Sequence, residues 1–145
     1  MKNISKHFNL ITSLLVFISF IFLLFPCVED GVVVDGIEMI FGYSVKNKVF
    51  LTFNVTGFIF FLLILFCIIF PLCYNEKNRK WAIILETFAI LVVSVLYFLL
   101  PLTIKNQFVD IISYNTMPCL YVGASLSIVS FLFSCFVWLV NVKKV

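Results

Sequence analysis

The chain is poor in the residues that most catalysis and most nucleic-acid binding depend on. One histidine, His7, and one arginine, Arg79, are its whole complement of those types, and only 12% of its 145 residues are charged. His7 has no partner set for a metal or a nucleophile, no glycine-rich loop is present to cradle a phosphate, and no Cys-x-x-Cys pair occurs. Each absence removes a class: metal hydrolases, nucleotide-dependent enzymes, and thiol oxidoreductases of the four-helix quinone-linked kind. A net charge of +3 spread along the chain gives no electrostatic footprint for nucleic acid. The sequence predicts a protein that is not an enzyme and that needs no cofactor or metal.

What remains is apolar. Hydrophobic residues make up 63% and the mean hydropathy is +1.20, against about half apolar and a quarter charged in an ordinary soluble domain. Lipid is the solvent this composition suits. The one strongly polar run between two long apolar blocks, Tyr74-Asn75-Glu76-Lys77-Asn78-Arg79-Lys80-Trp81, has the basic, aromatic-flanked character of a cytoplasmic loop.

Four spans are expected, at about 8–25, 49–72, 81–100 and 120–140, with outer loops at 26–48 and 101–119 and a cytoplasmic loop at 73–80. Phe8–Phe25 is uncharged, and Leu24-Phe25-Pro26-Cys27 offers neither the small residues of a signal-peptide cleavage site nor a lipoprotein context for Cys27. Pro71, Pro101 and Pro118 are expected at helix edges, where a missing donor does least harm. Lys2, Lys6, Lys77, Arg79, Lys80, Lys143 and Lys144 fall on one side; Lys46, Lys48 and Lys105 fall on the other. That bias predicts a multi-pass protein of the cell membrane with both termini cytoplasmic.

The first outer loop is acidic, with Glu29, Asp30, Asp35 and Glu38, and holds Gly31, Gly36 and Gly42. Val32-Val33-Val34 and Ile37-Glu38-Met39-Ile40-Phe41 flank Asp35-Gly36, a dipeptide suited to a two-residue hairpin turn. The fold expected is an all-α membrane protein, a four-helix transmembrane bundle with a small extracellular β-hairpin.

Polar residues within the spans are the candidate sites. Glu86 is the only carboxylate among them, about 8 Å below Trp81 at the helical rise. Ser13, Cys67 and Ser134 fall at its depth, which suggests a polar layer through the bundle, with Arg79 as a possible ion partner of Glu86. Ser19, Asn54, Ser94 and Ser125 mark a second, neutral layer towards the outside. Gly123, Ser127, Ser130 and Ser134 recur at offsets of four, three and four, a stripe that admits a close helix, from within the chain or from a second copy. Cys27 and Cys119 both fall on the outer side, where a disulfide is permitted.

The order of short basic N-terminus, helix, strand-bearing loop with Gly36-Ile37-Glu38-Met39-Ile40-Phe41-Gly42, helix, basic turn, helix, loop and helix resembles that of small four-helix bacterial membrane proteins. It is also similar in layout to the claudin-like tetraspan group, which implies an outer β-sheet and lateral or partner-protein contacts. That group's first-loop tryptophan and paired cysteines have no counterpart, since Trp81 and Trp138 both fall on the cytoplasmic side; the resemblance extends to topology. The expected function is a non-catalytic scaffold or accessory subunit contacting a partner protein or a second copy through its outer loops. The alternative is a small transporter or channel subunit with Glu86 as an intramembrane proton or cation site.

Overall fold

The structure, a computed structural model, describes residues 2–29, 33–45, 48–73, 79–105 and 115–142. Helices dominate: α1 (Lys2–Ile21), extended by a 3₁₀ turn at Phe22–Leu24, a short α2 (Gly36–Phe41), α3 (Val55–Cys73), α4 (Arg79–Lys105) and α5 (Pro118–Val142). Among the described residues five short strands join them: β1 (Pro26–Glu29), β2 (Val33–Asp35), β3 (Tyr43–Val45), β4 (Lys48–Leu51) and β5 (Asn115–Thr116).

Among the described residues three helices have the length and composition to cross a membrane, at Val55–Cys73, Lys80–Thr103 and Pro118–Val140; α1 and its 3₁₀ extension contribute a shorter apolar stretch, Leu10–Leu24. The four long helices close a ring in which α1 lies between α3 and α5, and α4 lies between the same two. Val16, Phe60, Ile64, Ile90, Val93 and Tyr97 fill its centre. Large apolar side chains such as Leu14, Leu62, Phe88 and Leu132 face outward, the inverse of a soluble bundle and the arrangement lipid requires.

At one end, the sheet end, β1 pairs antiparallel with β2 and β5, with Val28 opposite Val34 on one side and Thr116 on the other. β3 and β4 form a separate antiparallel pair. The expected hairpin turn at Asp35-Gly36 is not there. Strand β2 ends at Asp35, and Gly36 opens α2 instead. Two local forces decide it. The Asp35 amide donates to the Glu38 carboxylate at 3.0 Å, half of a capping box that closes the first turn of a helix. Gly36 also presses on the chain at Leu23, where an added Cβ would lie 2.8 Å from the carbonyl oxygen. This glycine serves a close approach and not a positive φ; that role belongs to Gly42 (φ 96°), which ends α2.

The second expected span also starts differently, because residues 49–51 belong to β4 and the helix begins only at Val55. Asn54 is the reason. Its Oδ1 accepts the Gly57 amide at 3.0 Å, its Nδ2 donates to Thr103 Oγ1 at 2.9 Å, and its own amide donates to the Ile40 carbonyl at 3.0 Å. Its side chain thus caps α3 and ties it to α4, while its main-chain amide ties it to α2. Pro118 opens α5, but α3 and α4 run past Pro71 and Pro101 to Cys73 and Lys105, a continuation that transmembrane helices tolerate where neighbouring groups meet the freed carbonyls.

Candidate functional site

Helix α4 turns Ala82, Ile83, Glu86, Ala89 and Ile90 to the interior, one face at offsets of three and four. Glu86 is 2% exposed, and its Oε1 has no hydrogen-bond partner among the described residues. A buried polar atom without a partner is uncommon and demands an explanation.

The residues expected at its level come from all four long helices. Ser13 donates to the Ile68 carbonyl at 2.7 Å, joining α1 to α3 one residue from Cys67. Cys67 is buried and lies within electrostatic reach of Glu86. Ser134 shares a 2.6 Å hydrogen bond with Thr87, which in turn donates to Ile83 on its own helix. No hydrogen bond among the described residues joins any two of Ser13, Cys67, Glu86 and Ser134 directly. The side chain of Arg79, the expected ion partner, lies outside the described residues.

The small-residue stripe of α5 faces inward. Ser127, Ser130 and Ser134 are buried, Ser130 donates to the Thr12 carbonyl at 3.3 Å, and a Cβ at Gly123 would stand 3.0 Å from the ring of Tyr97. The close helices are α1 and α4 of the same chain.

Towards the sheet end the polar groups gather around a residue that the sequence reading missed. Tyr97 is 1% exposed, meets Phe60 edge-on with centroids 4.8 Å apart, and donates its phenolic proton to the Ser19 carbonyl at 2.7 Å. The Ser19 hydroxyl lies 2.9 Å from both Tyr97 Oη and the Gly123 carbonyl, with one proton to give. A tyrosine deep in an apolar span, three residues from Ser94, was the available signal. Of the four residues expected in this layer, Ser19 and Asn54 join helices, Ser94 donates to the Ile90 carbonyl of its own helix, and Ser125 is exposed and donates to the Tyr121 carbonyl. A helical serine facing lipid meets its need locally.

Cys27 and Cys119 are both free thiols, brought to neighbouring segments by the Met117 amide, which donates to the Cys27 carbonyl at 2.8 Å. Burial pushes the Cys27 thiol up to about 12, against a backbone hydrogen bond at Gly36 that favours the thiolate. Thiolate is the nucleophile, so Cys27 will resist maleimide in the folded protein at neutral pH, while Cys73, which is exposed, reacts first. Mass spectrometry of protein pulsed with reagent before and after unfolding checks this. Because the folded value lies above the ordinary 9.0, any contribution of this thiol to stability is fully present below pH 9.0 and falls as pH rises towards about 12.

Among the described residues no group of His, Cys, Asp and Glu is arranged to hold a metal. A groove of about 280 Å³ opens between α4 and α5 at the sheet end, lined by Tyr97, Phe98, Pro101, Leu102, Leu120 and Tyr121; eleven residues of helix, roughly 16 Å, separate its Tyr97 from Glu86. No protein-family model, curated protein or solved structure matches the chain.

Proposed function

We propose that this chain is a four-span integral protein of the cell membrane, with both termini cytoplasmic, that acts without catalysis as a scaffold or accessory subunit. Its outer end meets a partner protein or a second copy. The observation that carries this reading is the cap at the sheet end, where both interhelical segments join one sheet and α2 folds against the 3₁₀ turn. An isolated hairpin is marginal in water, so a sheet stitched from two segments and backed by a helix supports a surface maintained for contact. Val33, Phe41 and Phe53 leave large apolar areas exposed on or beside this cap, a composition suited to a partner. Lys2 and Lys6 near the start of α1 and Arg79 and Lys80 at the start of α4, the helix ends away from the sheet, support the orientation.

The test uses protein solubilised in mild detergent. Wild type elutes above the mass of one chain plus detergent, and the double variant Val33→Glu, Phe41→Glu elutes as the monomer with its helicity unchanged. A wild type that is monomeric, with nothing co-purifying, overturns the reading. An impermeant maleimide applied to intact cells labels Glu29→Cys, on the exposed end of β1, only if that end is outside.

A further inference from the structure

Glu86 stands apart from the contact surface at the cap. It is the one glutamate in the four long helices and the one described buried side chain with an oxygen that nothing satisfies. Among the described residues the buried groups around it are neutral. Of the titratable residues on the elements packed against it, α3 presents Cys67, within electrostatic reach, and α5 carries Cys135 beside the neutral hydroxyl of Ser134. Helix α1 presents the hydroxyls of Thr12 and Ser13, the latter committed to Ile68. On α4 itself the described charged neighbour is Lys80, which is exposed and six residues away.

A bare carboxylate in such surroundings is strongly disfavoured, so its charge must be cancelled by a cation or a proton. A metal cation demands a cage of oxygens, six or more for the common divalent ions by general coordination chemistry. The hydroxyl of Thr87, next to Glu86 in the chain, is already bonded to that of Ser134 at 2.6 Å, and the buried face of α4 on either side of Glu86 is alanine and isoleucine. A proton needs one oxygen and no cage.

We propose that Glu86 is a proton-binding site within the membrane: its carboxylic acid holds a proton in the closed ring of helices and gives it to water, leaving the carboxylate, when the contact of α3, α4 and α5 opens. The ionised form has no described partner, so it favours the open arrangement, and reprotonation restores the closed one. Proton occupancy and helix packing are thereby one equilibrium.

Infrared spectroscopy of the protein in phosphatidylcholine vesicles tests this across a pH series from mildly acidic to alkaline. A protonated carboxylic acid shows a carbonyl stretch distinct from that of a carboxylate. The expected result is a band present in wild type at neutral pH, lost completely and reversibly as pH rises, and absent from Glu86→Gln at every pH. Should Glu86→Gln not fold, uniform ¹³C labelling of glutamate in wild type shifts the band and assigns it to a glutamate, and Glu86→Asp in the same labelled medium, whose band stays unshifted, assigns it to position 86. A band that persists unchanged until the protein unfolds makes Glu86 a permanently neutral structural acid and overturns the proposal. So does the absence of any such band, which means a carboxylate ionised throughout. A band that disappears on adding sodium at fixed pH identifies a metal cation as the occupant and also overturns it.

Discussion

Replacing Tyr97 with alanine destabilises the bundle by about 3–5 kcal/mol, the range for deleting a buried aromatic from a packed core. Tyr97→Phe, which removes only the hydroxyl, costs about 0.6 kcal/mol on the scale of interhelical hydrogen bonds in membranes, with an upper range of about 1.7. The difference between the two follows from what the side chain does. Its ring fills the space between Phe60 and the backbone at Gly123, whereas its hydroxyl closes a link to Ser19 that the Gly123 carbonyl partly duplicates. Unfolding in graded detergent mixtures, followed by helicity, reads both variants. A double-mutant cycle sharpens the result. Gly123→Ala alone is destabilising because its methyl meets the ring, but in the Tyr97→Ala background the ring is gone and the same methyl is accommodated. Strict additivity of the two would place the Tyr97 ring elsewhere.

The second large effect is expected at Gly36. An added Cβ would lie 2.8 Å from the Leu23 carbonyl oxygen and 2.9 Å from its Cα. Backbone cannot swing aside as a side chain can, so Gly36→Ala lifts α2 from the 3₁₀ turn. Overpacking of this kind costs about 1–3 kcal/mol, roughly a 5- to 150-fold rise in local opening. Hydrogen exchange of the α2 amides measures it directly, with the amides of α4 around Ile90 as the internal control. Faster exchange confined to the cap is expected; unchanged exchange at α2 would mean that the contact with Leu23 yields.

Gly36 also shows where the sequence was readable and where it was not. Asp-Gly between β-prone runs satisfies the local rule for a hairpin, and Asp-Gly followed by Glu two residues on satisfies the rule for a capped helix. Local chemistry permits both, and the choice falls to a tertiary contact with Leu23 that no spacing encodes. The helices were legible because long uncharged runs have few alternatives, and Glu86 because a single carboxylate in such a run is conspicuous. Its burial agrees with the neighbouring alanines at offsets of four and three. Tyr97 was hidden by context: in a chain with 18% aromatic residues, one more ring carries little signal until its hydroxyl is seen between α1 and α5. The start of α3 was hidden for a related reason. Val49-Phe50-Leu51 is as apolar as the helix it precedes, and only the three hydrogen bonds of Asn54 reveal where the strand stops.

The pairing of β1 with both β2 and β5 has a consequence for how the chain is made. Strand β2 follows β1 almost at once, but β5 and the Met117 amide that holds Cys27 arrive roughly ninety residues later, on the order of ten seconds at typical synthesis rates. For that interval β1 presents an unpaired edge, and α1, α3 and α4 are all synthesised before it can be covered. Closure of this sheet is therefore a late step, coupled to the arrival of the last helix. A ribosome-stalled chain ending before residue 115 should leave Cys27 open to modification, and the full-length chain should close it, so that this thiol reports the moment at which insertion of the final helix is complete.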